Sequence, residues 1–176
     1  EYSVDPARVF VAGMSAGGAM SGAMGHTYPD IFAGVGIHSG LPHGSAVDAV
    51  SAFAAMRGKP PRRNSTTSSP SGNRVPAIIF HGDADHTVSP SNGTQIFAAY
   101  GEAGRSTKTA TGTENGRGYA CTTVVREDGS SVAEHWILRG ASHAWSGGDT
   151  EGTFTDESGP DASREMVRFF LSSVSQ

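Results

Sequence analysis

A single cysteine in 176 residues removes two classes at once, an intrachain disulfide framework and a CxxC metal or redox site. Charge is also sparse: Asp, Glu, Lys and Arg make up 17% of the chain, against about 25% in ordinary soluble domains. Thirteen basic against seventeen acidic side chains leave a net charge of −4. That balance excludes a generally basic nucleic-acid binder, which needs a Lys/Arg excess to neutralise phosphates. No apolar run approaches the roughly 18 to 20 residues of a membrane-spanning helix. Neither nucleic acid nor a membrane is therefore an expected partner, and oligomeric state is left open. The chain starts at Glu1 with no charged-then-apolar leader after it, so the expectation is that processing or truncation removed the true beginning.

What is present points to one globular domain over residues 1–176. The length suits a single domain, and a hydrophobic content of 36% with eight Phe, four Tyr and two Trp argues against full disorder. Glycine is in excess, 24 residues or 14%, about twice the usual share and without a collagen period. Short apolar, β-rich runs at Arg8–Ala12, Ile31–Ile37 and Val75–Phe80 read as buried strands. The small-residue stretch after residues 13–17, ended by Tyr28-Pro29-Asp30, and stretches 42–56, 91–103 and 161–174 read as helices, with Met166, Val167, Phe169, Phe170 and Leu171 as the apolar face of the last. Runs 122–126 and 133–138 flank Asp128-Gly129 and read as paired strands. Alternating strands and helices predict a mostly parallel sheet with helices on both faces. The segment at about 57–74 holds five of the basic residues, three Pro and many Ser/Thr, and reads as a polar, flexible insertion.

Gly13-Met14-Ser15-Ala16-Gly17 matches G-x-S-x-G. Composition alone yields roughly 0.4 such matches, so the pattern needs its context. A buried strand precedes it and a small-residue helix follows, which is the strand–turn–helix of a nucleophile elbow. The flanking glycines let the turn close, exposing the Ser15 hydroxyl, and the Ala16 amide can donate to a developing oxyanion. A serine nucleophile needs a base, and the base an orienting carboxylate. Asp83 and Asp85 both follow the third strand; Asp85 is preferred and Asp83 is the alternative, its other role being a turn cap. Of seven histidines, His143 lies in a late loop between strand and final helix, where a base reaches the carboxyl edge of the sheet. A neutral His143 accepting the Ser15 proton predicts activity rising through about pH 6 to 8. Met14, Leu41 and Trp145 are weaker candidates for the walls of a substrate pocket. Cys121 reads as a buried hydrophobe, with a reactive thiol or a disulfide to an upstream cysteine as the alternatives. Asp149, Asp156 and Asp161 fit no calcium-loop spacing, and no metal or organic cofactor is expected.

The runs DPARVFVAGMSAGGAM, YPDIFAGVGIHSGLPHG, HGDADHTV, EHWILRGASHAWSGG and FTDESGPDASREMVRFFL together resemble the PHB depolymerase-like esterases of the α/β-hydrolase fold, near the feruloyl and acetylxylan esterases. The resemblance spans nearly the whole chain and is weakest across 59–74 and 104–118. It implies Ser15 as nucleophile, Asp85 as acid and His143 as base, and a secreted or extracellular enzyme. Implied substrates are short-chain polyesters such as polyhydroxybutyrate, or acyl esters on carbohydrates. Relatives of this kind carry several strands before the elbow and a loop with the second oxyanion donor. The expectation is therefore that these residues are the C-terminal part of a catalytic domain, poorly folded and nearly inactive alone. Two rivals stand beside the esterase: a serine peptidase on the same scaffold, and a non-catalytic hydrolase-like binding protein.

Overall fold

Apolar runs too short for helices, each followed by a glycine-rich turn, pair side by side in parallel. The computed structural model describes residues 3–59, 74–100 and 105–173. Strands β1 (Phe10–Met14), β2 (Gly34–His38) and β3 (Ala77–Gly82) alternate with helices α1 (Ala16–Thr27), α2 (Ala49–Met56) and α3 (Ser91–Ala98). Strands β4 (Ser106–Glu114), β5 (Arg117–Val125) and β6 (Ser131–Leu138) follow, then a two-residue pair β7 (Trp145–Ser146) and β8 (Thr155–Asp156), and helix α4 (Ala162–Ser173). The main sheet has the order β1-β2-β3-β6-β5-β4. Its β1, β2, β3 and β6 are parallel, while β5 and β4 extend it antiparallel. This is the mostly parallel α/β sheet expected, a partial α/β-hydrolase fold. Among the described residues no helix is long and apolar enough to cross a membrane.

Two apolar layers hold the sheet. On one face Val35, Ile37 and Ile79 pack with Ile96 and Tyr100 around α3, and α1 lies on the same face. The approach of α1 is close because glycines line it: a Cβ on Gly25 would sit 2.4 Å from Val35 Cγ1. On the other face Met166, Phe169 and Phe170 of α4, spaced i, i+3 and i+4, cover Ile78, Phe80 and Leu138, and Phe170 stacks on Phe10 at 4.6 Å. Val167 and Leu171, expected on that stripe, are exposed. They lie off the i, i+3, i+4 row that reaches the sheet. Cys121 is buried in this layer with a free thiol, and burial, followed by Glu134, pushes its pKa up to about 12.

The three expected parallel strands begin two to three residues too early and stop one or two short, whereas the paired runs 122–126 and 133–138 begin five and two residues too late. Each true parallel strand runs on through Gly13-Met14, His38 or His81-Gly82; His38, His81 and Gly82 are buried there, and Gly13 and Met14 are half-buried. The expected helix 42–56 is only Ala49–Met56, because the reciprocal Asp48–Ser51 capping box starts it there. Its Val47, Val50 and Phe53 are exposed while Ala55 is buried. The third helix ends at Ala98, not 103; residues 101–104 lie outside those described, as does most of the expected 57–74 insertion. Strand β4 was not anticipated. It pairs with β5 through Asn115-Gly116, both at positive φ (43° and 76°), the geometry that favours Asn-Gly in tight hairpins.

Candidate active site

Parallel strands end at one edge of the sheet, and their last residues lead into the loops that carry the candidate groups. Ser15 follows β1 with φ 55° and ψ −118°, a backbone region costing on the order of 1–3 kcal/mol for a residue with a side chain. It is held there by its own N–H, which donates to the His38 carbonyl at 2.8 Å, and by its carbonyl, which accepts from Ala19 N at 2.9 Å. Only one glycine of the motif is demanded by contact. A Cβ on Gly13 would lie 2.6 Å from the Gly17 carbonyl carbon and oxygen, whereas one on Gly17 would meet nothing within 4 Å. Gly18 completes the crossing, with the Gly13 and His38 carbonyl oxygens both 3.0 Å from where its Cβ would be. Ala16 opens α1 and is exposed, so its amide belongs to the first turn, whose N–H groups have no intrahelical acceptor.

Asp85 and His143 meet directly although 58 residues separate them: His143 Nδ1 lies 2.7 Å from Asp85 Oδ2. Asp85 is buried, and its other oxygen accepts from the N–H groups of Thr87 (2.9 Å) and Val88 (2.8 Å). A second ring, His81, brings Nε2 to 3.5 Å from Oδ2 while bonding the Val88 carbonyl at 2.9 Å. Burial pushes the Asp85 pKa up, but hydrogen bonds from His81, His143 and the Val88 amide outweigh it and hold the group well below the usual carboxylate range. Asp83 is engaged elsewhere: it accepts from Gly140 N at 2.6 Å and from Arg139 at 3.3 Å. It ties the loop after β3 to the loop after β6. Among the described residues no hydrogen bond joins Ser15 to His143.

The pocket residues part company. Met14 is the last residue of β1, directly before Ser15. Trp145 stacks on His38 at 5.2 Å and donates from Nε1 to Ser163 Oγ at 3.2 Å. Leu41 lines a cavity of about 460 Å³ with Gly22, His26, His43, Ile96 and Tyr100, on the face between α1 and α3. Neither Ser15, Asp85 nor His143 borders that cavity. Among the described residues no group of three or more His, Cys, Asp or Glu is placed to hold a metal ion.

Sequence reasoning reads His26, His38, His43, His81, His86 and His135 as packed or exposed structural histidines, and His38, His81 and His135 are indeed buried. His38 is fully buried; its Nε2 accepts from Ser146 N at 3.2 Å and its Nδ1 contacts Ser39 Oγ at 3.1 Å. Burial first, then the neighbouring His81 and His143, push its pKa down to about 3 against a smaller pull from Asp85. His135 is likewise lowered to about 4 by burial and by His81. The signal was present in the strings Gly-Ile-His-Ser-Gly and Phe-His-Gly-Asp, where a histidine closes an otherwise apolar strand.

Comparison with known proteins adds to this geometry. The esterase PHB depolymerase family model matches residues 1–118. Among relatives, the chain is 29% identical over 150 residues to poly(3-hydroxyalkanoate) depolymerase C of Paucimonas lemoignei, covering 81% of this chain and 36% of that one. It is 32% identical over 160 residues to poly(3-hydroxybutyrate) depolymerase of Ralstonia pickettii, covering 84% and 32%. The chain thus spans about a third of the length of these curated relatives. In fold it matches an acetyl xylan esterase from Aspergillus awamori (TM-score 0.55, 20% identity, 96% of this chain, 61% of that one). It also matches a PHB depolymerase from Penicillium funiculosum (TM-score 0.51, 20% identity, 90% and 47%). With two thirds of its residues inside the family model, the chain belongs to the esterase PHB depolymerase family.

Proposed function

We propose that these residues carry the reacting groups of a serine carboxylic-ester hydrolase that works through an acyl-enzyme. The observation that carries the reading is the 2.7 Å His143–Asp85 pair at the same sheet edge as a serine in left-handed backbone. Because Asp85 accepts at Nδ1, the His143 proton sits on Nδ1 and leaves Nε2 as the free base. Ser15 Oγ attacks the ester carbonyl carbon and its proton passes to Nε2. The Ala16 amide donates to the tetrahedral oxyanion, and His143 returns the proton to the departing alkoxide as the C–O bond breaks. Water then repeats the sequence and releases the acid. The Ser15–His143 hydrogen bond forms in the substrate complex, where such contacts commonly tighten.

The substrates proposed are short-chain hydroxyalkanoate polyesters, in keeping with the depolymerase relatives. The alternative is an acetyl or feruloyl ester of a carbohydrate, in keeping with acetylxylan esterase A of Talaromyces purpureogenus, 31% identical over 112 residues. Extracellular action is proposed on the same ground. A fluorophosphonate probe on the full-length gene product tests the mechanism: an adduct mapped to Ser15, with turnover of p-nitrophenyl butyrate lost in Ser15→Ala, is the expected result. No adduct at Ser15 in an otherwise folded protein overturns it and favours the non-catalytic binding reading. Initial rates on hydroxybutyrate oligomers against acetylated xylan separate the two substrate classes.

A further inference from the structure

We infer that His38 is a positioning residue that fixes the distance between the nucleophile elbow and the loop bearing His143; this rests on the proposed triad. Three sets of contacts converge on it. Its backbone oxygen accepts the Ser15 N–H at 2.8 Å, so it holds the strained serine. Its ring Nε2 accepts the Ser146 N–H at 3.2 Å, three residues beyond His143. Its ring stacks with Phe80 at 5.7 Å and with Trp145 at 5.2 Å. One residue thus touches both sides of the site, through its backbone at Ser15 and its ring at Ser146, while exposing none of its own surface.

The tautomer follows from the partners. A backbone N–H can only donate, so Nε2 is the unprotonated acceptor and Nδ1 carries the proton, donated to Ser39 Oγ. The loop is pinned at the same residue from the other side, where Ser146 Oγ donates to the Pro160 carbonyl at 2.7 Å. Trp145 N donates to the Phe154 carbonyl at 2.8 Å. Removing the His38 acceptor therefore frees the Ser146 N–H from the elbow side, while β7, β8 and α4 keep the remainder of the loop in place. A base displaced by about 1 Å costs on the order of a hundredfold in rate. The loss falls hardest on the step that needs His143 as an acid.

Leaving-group dependence reads this out. An alkyl ester needs a proton from His143 on its departing alkoxide, whereas p-nitrophenolate leaves without one. In the full-length gene product, His38→Phe keeps the stacked ring and deletes both hydrogen bonds. The expected result is a kcat loss of about a hundredfold on an alkyl ester, about tenfold on the p-nitrophenyl ester, and KM within about twofold. His38→Gln, which restores an oxygen acceptor, recovers most of the alkyl-ester rate. Equal losses on both esters, or losses under about threefold, overturn the inference. If His38→Phe does not fold, the ring ¹⁵N shifts of the unaltered protein decide: a neutral Nδ1–H tautomer from pH 5 to 8 supports it, and a titrating or Nε2–H ring overturns it. His143→Ala separates the two claims. If that variant keeps its rate the triad itself fails, and if it loses rate while His38→Phe does not, only the positioning role fails.

Discussion

Acid should destabilise this domain well above the range in which its carboxylates are titrated. His38 and His135 are buried and neutral, with pKa values pushed from 6.5 down to about 3 and about 4. Both folded values lie below the unfolded one, so their stability contribution is complete above pH 6.5 and is lost as pH falls toward the folded values. At pH 5 the unfolded chain binds nearly one proton at each site and the folded chain almost none. Each pKa unit between pH 6.5 and 5 is worth 1.36 kcal/mol, so each histidine loses about 2 kcal/mol and the pair about 4 kcal/mol. Typical domains have only about 5–15 kcal/mol in total. Asp85 adds a further loss only below its unfolded value of 3.8. Urea unfolding at pH 7, 6 and 5 should therefore show a loss of about 2 kcal/mol between pH 6 and 5, halved in His135→Gln. A free energy flat to within about 0.5 kcal/mol across that window would refute the assignment of both rings as neutral buried groups.

The two acidic candidates separate cleanly by substitution. Asp85→Asn removes the partner of His143 Nδ1 and should lower kcat on p-nitrophenyl butyrate by about four orders of magnitude, while Asp83→Asn, which loosens only the Gly140 and Arg139 contacts, should cost less than about tenfold. The two motif glycines should behave oppositely in thermal melts. Gly13→Ala meets the Gly17 backbone at 2.6 Å and should cost about 2 kcal/mol or prevent folding. Gly17→Ala enters open space within α1 and should raise stability by up to about 1 kcal/mol. Cys121, buried with its pKa raised to about 12, should react with a thiol reagent at pH 8 only as fast as the chain unfolds; immediate labelling of the folded protein contradicts its burial.

The alternation of apolar strands with helices was legible in the sequence because parallel strands are covered on both faces and read as unbroken apolar runs. The edges were not. His38 and His81 stay inside the ladder because neighbours bury them and accept or supply their hydrogen bonds, which no local propensity encodes. Strand β4 was overlooked because its Thr-rich residues 106–114 are mostly exposed and lack an apolar alternation, although Asn115-Gly116 marked the turn. Around the candidate site, the order Ser15, Asp85, His143 was readable from motif and position. Choosing Asp85 over Asp83 on physical grounds needed the fold, since only the packing of loop 83–88 against loop 139–143 decides which carboxylate meets the ring. The role of His38 was invisible, because its partner Ser146 lies 108 residues away.

The meander β4-β5-β6 closes through two short turns, so its contacts are nearly local, whereas β6 reaches β3 only across the intervening hairpin. Local pairings form faster than those that must first close a long loop. The meander is thus expected to assemble ahead of the β3–β6 junction. His143 hangs from the far end of β6, and Asp85 from the end of β3. On the proposed mechanism, chemical competence is thereby tied to the last seam of the sheet to zip, so that a half-assembled chain is expected to be silent toward esters even when most of its secondary structure is already in place.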